Sequence, residues 1–132
     1  MSNFNELENL YNKKRYDDLE IKTKKLIENN PNIAALHNIL GMAFKEQNKY
    51  DEAIASFKKC ILKDKKYFLA YNNVANILIL QNKHEDALKY YNLTLKINPN
   101  YSEAYYNKGN LHRDRLEYKK AIKSYNKAID LE

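Results

Sequence analysis

The sequence has few of the residues that interrupt regular structure, with two glycines and two prolines among 132 residues. Because turns between short strands depend on these residues, the scarcity favours long helices over a sheet. The single cysteine, Cys60, excludes an intramolecular disulfide and fits a reducing compartment. No apolar run has the ~18 residues of a membrane-spanning helix, and the N-terminus lacks a signal-peptide core. We therefore expect a cytoplasmic protein.

The charge is moderately basic and dispersed. A net charge of +6 arises from 23 Lys and Arg against 17 Asp and Glu. Most of the excess is lysine scattered along the chain, which is typical of a solvated surface more than of a nucleic-acid site. An apolar fraction of 44% is enough for a core. We expect one ordinary domain, with no nucleic-acid or membrane partner.

A pattern recurs at a fixed interval along the chain. The stretches ALHNILGMAF, LAYNNVANIL and EAYYNKGNLH begin at residues 35, 69 and 103, and each has a Gly or Ala at its seventh place. A constant period of about 34 residues is typical of stacked supersecondary units. Further positions repeat with the same period: Ala53, Ala87 and Ala121; Phe57, Tyr91 and Tyr125; Pro31 and Pro99.

Within each period the apolar residues follow helical spacing, interrupted by short polar stretches such as EQNKYDE. Acidic pairs such as Asp51 and Glu52 suit the first turn of a helix, where the helix dipole favours them. The pattern predicts eight helices over 3–12, 16–29, 33–46, 50–63, 67–80, 84–97, 101–114 and 118–131.

A helix pair with this period resembles the tetratricopeptide repeat family. The resemblance implies an all-α solenoid of helical hairpins in a right-handed superhelix, forming one domain over 1–132. Residues 34–67, 68–101 and 102–132 match the pattern well. Residues 1–33 form a degenerate first copy, in which Leu19 replaces the expected alanine and Thr23 the aromatic residue. Small residues such as Gly41 and Ala75 are expected where helices cross closely.

No motif indicates catalysis. His37 and His112 fall on the apolar stripe of first helices, His84 takes the place of a tyrosine at the start of a second helix, and Cys60 takes a small core place. No ligand cluster with metal-binding spacing and no glycine-rich phosphate loop occurs. We therefore predict no catalytic residues, no metal site, no cofactor and no enzymatic activity.

The resemblance also implies which side chains line the concave groove of the array. These are Asn38, Met42, Leu69, Asn72, Asn73, Asn76, Ile79, Tyr106, Asn107, Asn110 and Arg113. Asn73 and Asn107 lie one repeat apart, as do Asn76 and Asn110. The row is similar to the asparagine ladder of O-linked N-acetylglucosamine transferases, whose carboxamides bind peptide backbone. The alternative is that asparagine is merely frequent here. The clamp of cations that holds a carboxylate tail in other family members is absent from the corresponding places.

The last helix ends the sequence with apolar residues Ile122, Tyr125 and Ile129 unpaired in the repeat pattern. Three interpretations are open: the chain continues in a longer protein, the face mediates a homodimer, or the lysine-rich surface tolerates exposure. For function, we expect a scaffold that binds an extended peptide or partner segment in the groove. The alternatives are a targeting or oligomerisation region of a glycosyl- or sulfotransferase, and RNA binding with a steep salt dependence.

Overall fold

The computed structural model describes residues 2–132, which form eight α-helices and no strand. The helices are α1 (Asn3–Asn12), α2 (Tyr16–Asn29), α3 (Ala34–Glu46), α4 (Tyr50–Lys63), α5 (Phe68–Leu80), α6 (His84–Ile97), α7 (Ser102–Asp114) and α8 (Tyr118–Asp130). The all-α prediction is confirmed, and each helix end lies within one residue of its expected position. None of the helices in residues 2–132 has the length and apolarity to cross a membrane.

The chain forms two compact units, one ending at Ala70 and one spanning Tyr71–Glu132. In the first unit, α3 packs on α2 and α4, and α1 packs on α2. Leu7, Leu19, Leu36 and Ala43 form its buried apolar cluster. In the second unit, α7 packs on α6 and α8.

A polar contact fastens α2 to the turn after α3. The Glu20 carboxylate accepts hydrogen bonds from Lys24 Nζ (2.7 Å), Gln47 Nε2 (3.0 Å) and Lys49 Nζ (3.1 Å). Burial alone would raise the pKa of Glu20, but these donors outweigh it and lower the pKa to about 2. The carboxylate therefore stays charged at neutral pH and links α2 to the turn between α3 and α4.

The helix pairs α3–α4 and α7–α8 cross closely where a glycine faces an aromatic ring. A Cβ atom added to Gly41 would lie 2.5 Å from the Phe57 ring, and one added to Gly109 would lie 2.5 Å from the Tyr125 ring. The first and second helices approach this closely because the glycine leaves room for the ring. The expectation that small residues mark the crossings is met at these two places.

The degenerate first copy fills the same two places with the sizes exchanged. Leu7 stands at the place of Gly41, and Thr23 stands at the place of Phe57. Both side chains are fully buried, and the Thr23 hydroxyl donates to the Leu19 carbonyl at 2.6 Å. A large residue on the first helix and a small one on the second therefore replace the usual arrangement, which keeps the buried volume similar.

The turn between the two helices of every pair contains one residue with positive φ. Lys14, Asn48, Asn82 and Leu116 have φ between 60° and 63°, and each lies one repeat from the next. Asparagine tolerates this left-handed region better than most residues, whereas leucine does not. Leu116 is also 71% exposed, so packing does not compensate for its strained backbone.

Replacing Leu116 with asparagine should raise the free energy of unfolding by about 0.5–1 kcal/mol, because it relieves backbone strain and removes little packing. Chemical denaturation of the wild type and the variant measures the difference. The matched control is the reverse change, Asn82→Leu, which should destabilise by a similar amount. A destabilising Leu116→Asn would contradict the strain argument.

The Gly41→Ala substitution should destabilise the protein by about 1 kcal/mol, because displacing the Phe57 ring costs about 1–3 kcal/mol and the gain in helix propensity is only about 1 kcal/mol. In a Phe57→Leu background the obstructing ring is gone, so Gly41→Ala should become neutral or stabilising. Urea unfolding of the wild type, the two single variants and the double variant measures the coupling between Gly41 and Phe57. If the two changes in unfolding free energy simply add, contact with the ring is not the cause of the destabilisation by Gly41→Ala.

Candidate functional site

In the second unit, the asparagines of α5 and α7 form a hydrogen-bonded cluster with two tyrosines. The Tyr91 hydroxyl donates to Asn76 Oδ1 at 2.6 Å, and Asn107 Nδ2 donates to the same oxygen at 3.3 Å. One repeat later, the Tyr125 hydroxyl donates to Asn110 Oδ1 at 2.6 Å. Each tyrosine bond therefore joins the first helix of a pair to its second helix.

These bonds fix the orientation of the two carboxamides. Burial, with a smaller effect from the charge of Glu103, raises the pKa of Tyr91, so the phenol remains a donor at neutral pH. Because the oxygens of Asn76 and Asn110 accept from tyrosine, their NH₂ groups are the sides left to meet an external acceptor. The sequence suggested a row of asparagines, but it did not reveal that tyrosines hold it.

A small pocket of about 160 Å³ opens beside this cluster and is lined by Asn76, Ile79, Asn107 and Asn110, together with Tyr91, Leu111 and Asp114. A second pocket of about 530 Å³ lies on the other side of Asn110. Tyr106 and Arg113 line it. The Tyr106 ring lies 5.7 Å from the ring of Tyr125, and Arg113 pairs with Asp114 at 3.1 Å. Most of the groove residues expected in α5 and α7 thus surround two adjoining pockets of the second unit.

Two expected groove residues are instead buried. Asn38 is 5% exposed and Asn72 is 3% exposed, although they lie one repeat apart and were expected to face a ligand. Asn38 Nδ2 lies 3.6 Å from Met42 Sδ on the same helix. Both asparagines turn towards the packed interior, although Tyr106 at the same place of the last repeat is 55% exposed, so direct contact with a bound peptide is not expected of either asparagine. Asn73 is half-buried and Leu69 is 38% exposed, so both remain accessible.

The first unit has an apolar pocket where the second has amides. It measures about 270 Å³ and is lined by Phe4, Leu7, Glu8, Tyr11, Ile39 and Met42. Met42 and Phe57 stand at the places of Asn110 and Tyr125, so the hydrogen-bonded pair is replaced by an apolar pair. Sequence reasoning missed Phe4 and Tyr11. The sequence did contain a signal for both residues, because α1 aligns with α3 when the chain is shifted by one repeat.

The three apolar residues expected to form a self-association face do not share one groove. Ile122 is 59% exposed and lines a groove between α7 and α8. Tyr125 and Ile129 line the pocket beside Asn110, and the Tyr125 hydroxyl is bound there. The face therefore presents two different surfaces.

Cys60 is fully buried, and two of the three histidines have structural contacts. Burial and the nearby charge of Asp64 raise the pKa of the Cys60 thiol to about 12, so it is not a ready nucleophile. His37 Nε2 lies 2.8 Å from the Pro31 carbonyl, and His112 Nδ1 lies 3.3 Å from Glu117. Within residues 2–132, no three His, Cys, Asp or Glu side chains group as metal ligands would.

Models of the tetratricopeptide repeat match residues 34–67, 68–101 and 102–132. This chain belongs to the tetratricopeptide repeat family. The family resemblance inferred from the repeat period is thereby confirmed. Among curated proteins, no sequence matches this chain significantly.

Solved structures with the same fold include three of MamA. A crystal structure of MamA has a TM-score of 0.86 and 22% identity, over 95% of this chain and 73% of that one. A second crystal structure of MamA has a TM-score of 0.80 and 24% identity, over 95% of this chain and 68% of that one. A MamA RS-1 double mutant has a TM-score of 0.82 and 19% identity, over 98% and 73%. At this identity the similarity establishes the fold.

The tyrosine–asparagine pair of the last repeat should be exchangeable for the apolar pair of the repeat over 34–67. Tyr125→Phe alone should cost about 1 kcal/mol, because Asn110 loses its donor. The double variant Asn110→Met with Tyr125→Phe copies Met42 and Phe57, and it should be more stable than the sum of the two single changes predicts. A double-mutant cycle by urea unfolding measures this coupling. A coupling of zero would mean that the hydrogen bond contributes nothing.

Proposed function

We propose that this tetratricopeptide repeat protein is an interaction scaffold that binds an extended peptide segment on the first helices of its pairs. The observation that carries the proposal is the fixed orientation of Asn76 and Asn110. Their oxygens are held by tyrosine at 2.6 Å, so their NH₂ groups are preorganised donors. A preorganised donor loses little entropy on binding, which favours affinity.

The chemistry suits recognition of peptide backbone. Carboxamides present donors and acceptors of the kind that pair with main-chain carbonyl and N–H groups, irrespective of side-chain sequence. The pockets flanking Asn110 leave space beside these groups, and the exposed Tyr106 adds a flat apolar surface. In the second unit we therefore expect main-chain binding with weak sequence preference.

The first unit would supply selectivity of a different kind. Its 270 Å³ pocket, lined by Phe4, Tyr11, Ile39 and Met42, suits one large apolar side chain. Methionine adapts its shape to different ligands, so we expect a preference for Leu, Met or Phe without strict identity. The MamA structures to which this chain is similar give no support to the alternative of a transferase region.

The test starts from a phage-displayed library of random peptides selected on the whole chain. A selected peptide is synthesised, and its dissociation constant is measured by calorimetry for the wild type and for Asn73→Ala with Asn107→Ala. Losing two hydrogen-bonding side chains at about 1 kcal/mol each should weaken binding roughly 10- to 30-fold.

The matched control is Asn92→Ala with Asn126→Ala. These asparagines also lie one repeat apart, but they are exposed on the second helices α6 and α8. The control should bind the peptide as the wild type does. Unchanged binding by the folded Asn73 and Asn107 variant, or an equal loss in the control, would contradict recognition by the first helices.

A further inference from the structure

A basic groove runs between α7 and α8 and plays no part in the function proposed above. Its volume is about 790 Å³, and its lining includes five lysines but one carboxylate, that of Asp130. The lysines are Lys108, Lys119, Lys120, Lys123 and Lys127. Ile122, 59% exposed, lies among them, so the groove combines positive charge with an apolar floor.

The charge is specific to this helix pair. At the places of Lys119 and Lys120, the helices α2, α4 and α6 carry acidic pairs. At the place of Lys108, the two preceding repeats carry Leu40 and Val74, which are 9% and 1% exposed. In the last helix pair, lysines therefore occupy places that hold acids or buried apolar residues in earlier pairs. All of these lysines line one groove.

Four of these five cations form no ion pair within residues 2–132. Lys120 pairs with Glu117 at 3.3 Å, whereas Lys108, Lys119, Lys123 and Lys127 form no ion pair with any of the residues that the structure describes. Burial lowers the pKa of the half-buried Lys108, and the charge of Lys123 lowers it further. Two like charges held this way are unfavourable alone, and an acidic group between them would relieve the repulsion.

The fold itself indicates what shape fits the groove. One repeat earlier, Val74 and Leu78 stand at the places of Lys108 and His112, and they are buried in a unit where α7 packs on α6. By analogy with this packing of α7 on α6, we infer that a helix is the shape that suits the groove between α7 and α8. From Lys119 to Asp130 the groove is about 16 Å long, which is room for about three turns of helix.

We propose that the groove between α7 and α8 binds an acidic amphipathic helix of another protein. Glutamate or aspartate side chains of that helix would pair with Lys108, Lys123 and Lys127, and an apolar residue at the centre of its face would cover Ile122. A second copy of this chain docking through the same groove would bring lysines against lysines. Nucleic acid would satisfy the charges but leave Ile122 in contact with phosphates.

The probe is a fluorescent peptide of about 18 residues, with leucines along one helical face and glutamates around them. Fluorescence anisotropy measures its binding to the whole chain, alongside a scrambled peptide of the same composition. We expect the amphipathic peptide to bind at least ten-fold more tightly than the scrambled one. Lys108→Gln with Lys123→Gln should weaken its binding at least ten-fold.

The control variant is Lys58→Gln with Lys63→Gln, which removes the same charge from exposed positions of α4. It should bind as the wild type does. Chemical-shift mapping on the wild-type protein should place the peptide at Tyr105, Lys108 and Ile122, and this measurement remains decisive if the lysine variant does not fold.

Several results would overturn the proposal. Equal binding of the scrambled peptide would indicate diffuse charge attraction, and equal weakening by the control variant would indicate the same. Displacement of the peptide by a single-stranded oligonucleotide at lower concentration would assign the groove to nucleic acid. Light scattering that shows a dimer abolished by the Lys108 and Lys123 changes would assign it to self-association. Absence of binding would also refute it.

Discussion

In two of the four helix pairs, the close approach of a glycine to an aromatic ring sets the spacing of the helices, and the candidate site at Asn110 depends on that spacing. With Gly109 against the Tyr125 ring, the hydroxyl at the far end of the ring reaches Asn110 on the first helix. A larger residue at Gly109 would move the ring and with it the donor. Phe57 makes the same contact with Gly41 but has no hydroxyl. Met42 occupies the place of Asn110, where a carboxamide would lack the hydroxyl donor. Packing and site chemistry are therefore linked through one contact.

The helices were predictable because the repeat period and the spacing of apolar residues are visible in the sequence and do not depend on how the helices pack. The left-handed turn residues were visible only at Asn48 and Asn82, since Lys14 and Leu116 carry no signal for positive φ. The role of Asn76 was not predictable, because its partner Tyr91 lies on another helix and the bond depends on how the two helices cross. Asn38 and Asn72 were assigned to the groove by family register, yet a rotation of a fraction of a turn is enough to bury them.

A repeat protein separates positions that must pack from positions that are free to change. The crossing places keep a small residue opposite a large one in all four copies, even where Leu7 and Thr23 exchange the sizes. Within the described residues, the outer face of α8 is not held to this pairing of a small with a large residue. Lysines stand there at the places where the other second helices have acidic residues. Charge on that groove can therefore be altered without disturbing the crossings that form the fold.

The same separation does not hold for the asparagines. Asn76 and Asn110 stabilise the helix pairs through tyrosine and also present the donors proposed for a peptide, so replacing either changes stability and binding together. Asn107 donates to Asn76 at 3.3 Å, at the limit of a useful hydrogen bond, and its loss should cost little stability. Recognition by carboxamides is thus best distinguished from structural support at Asn107, because a loss of affinity on its replacement is not explained by a weakened fold.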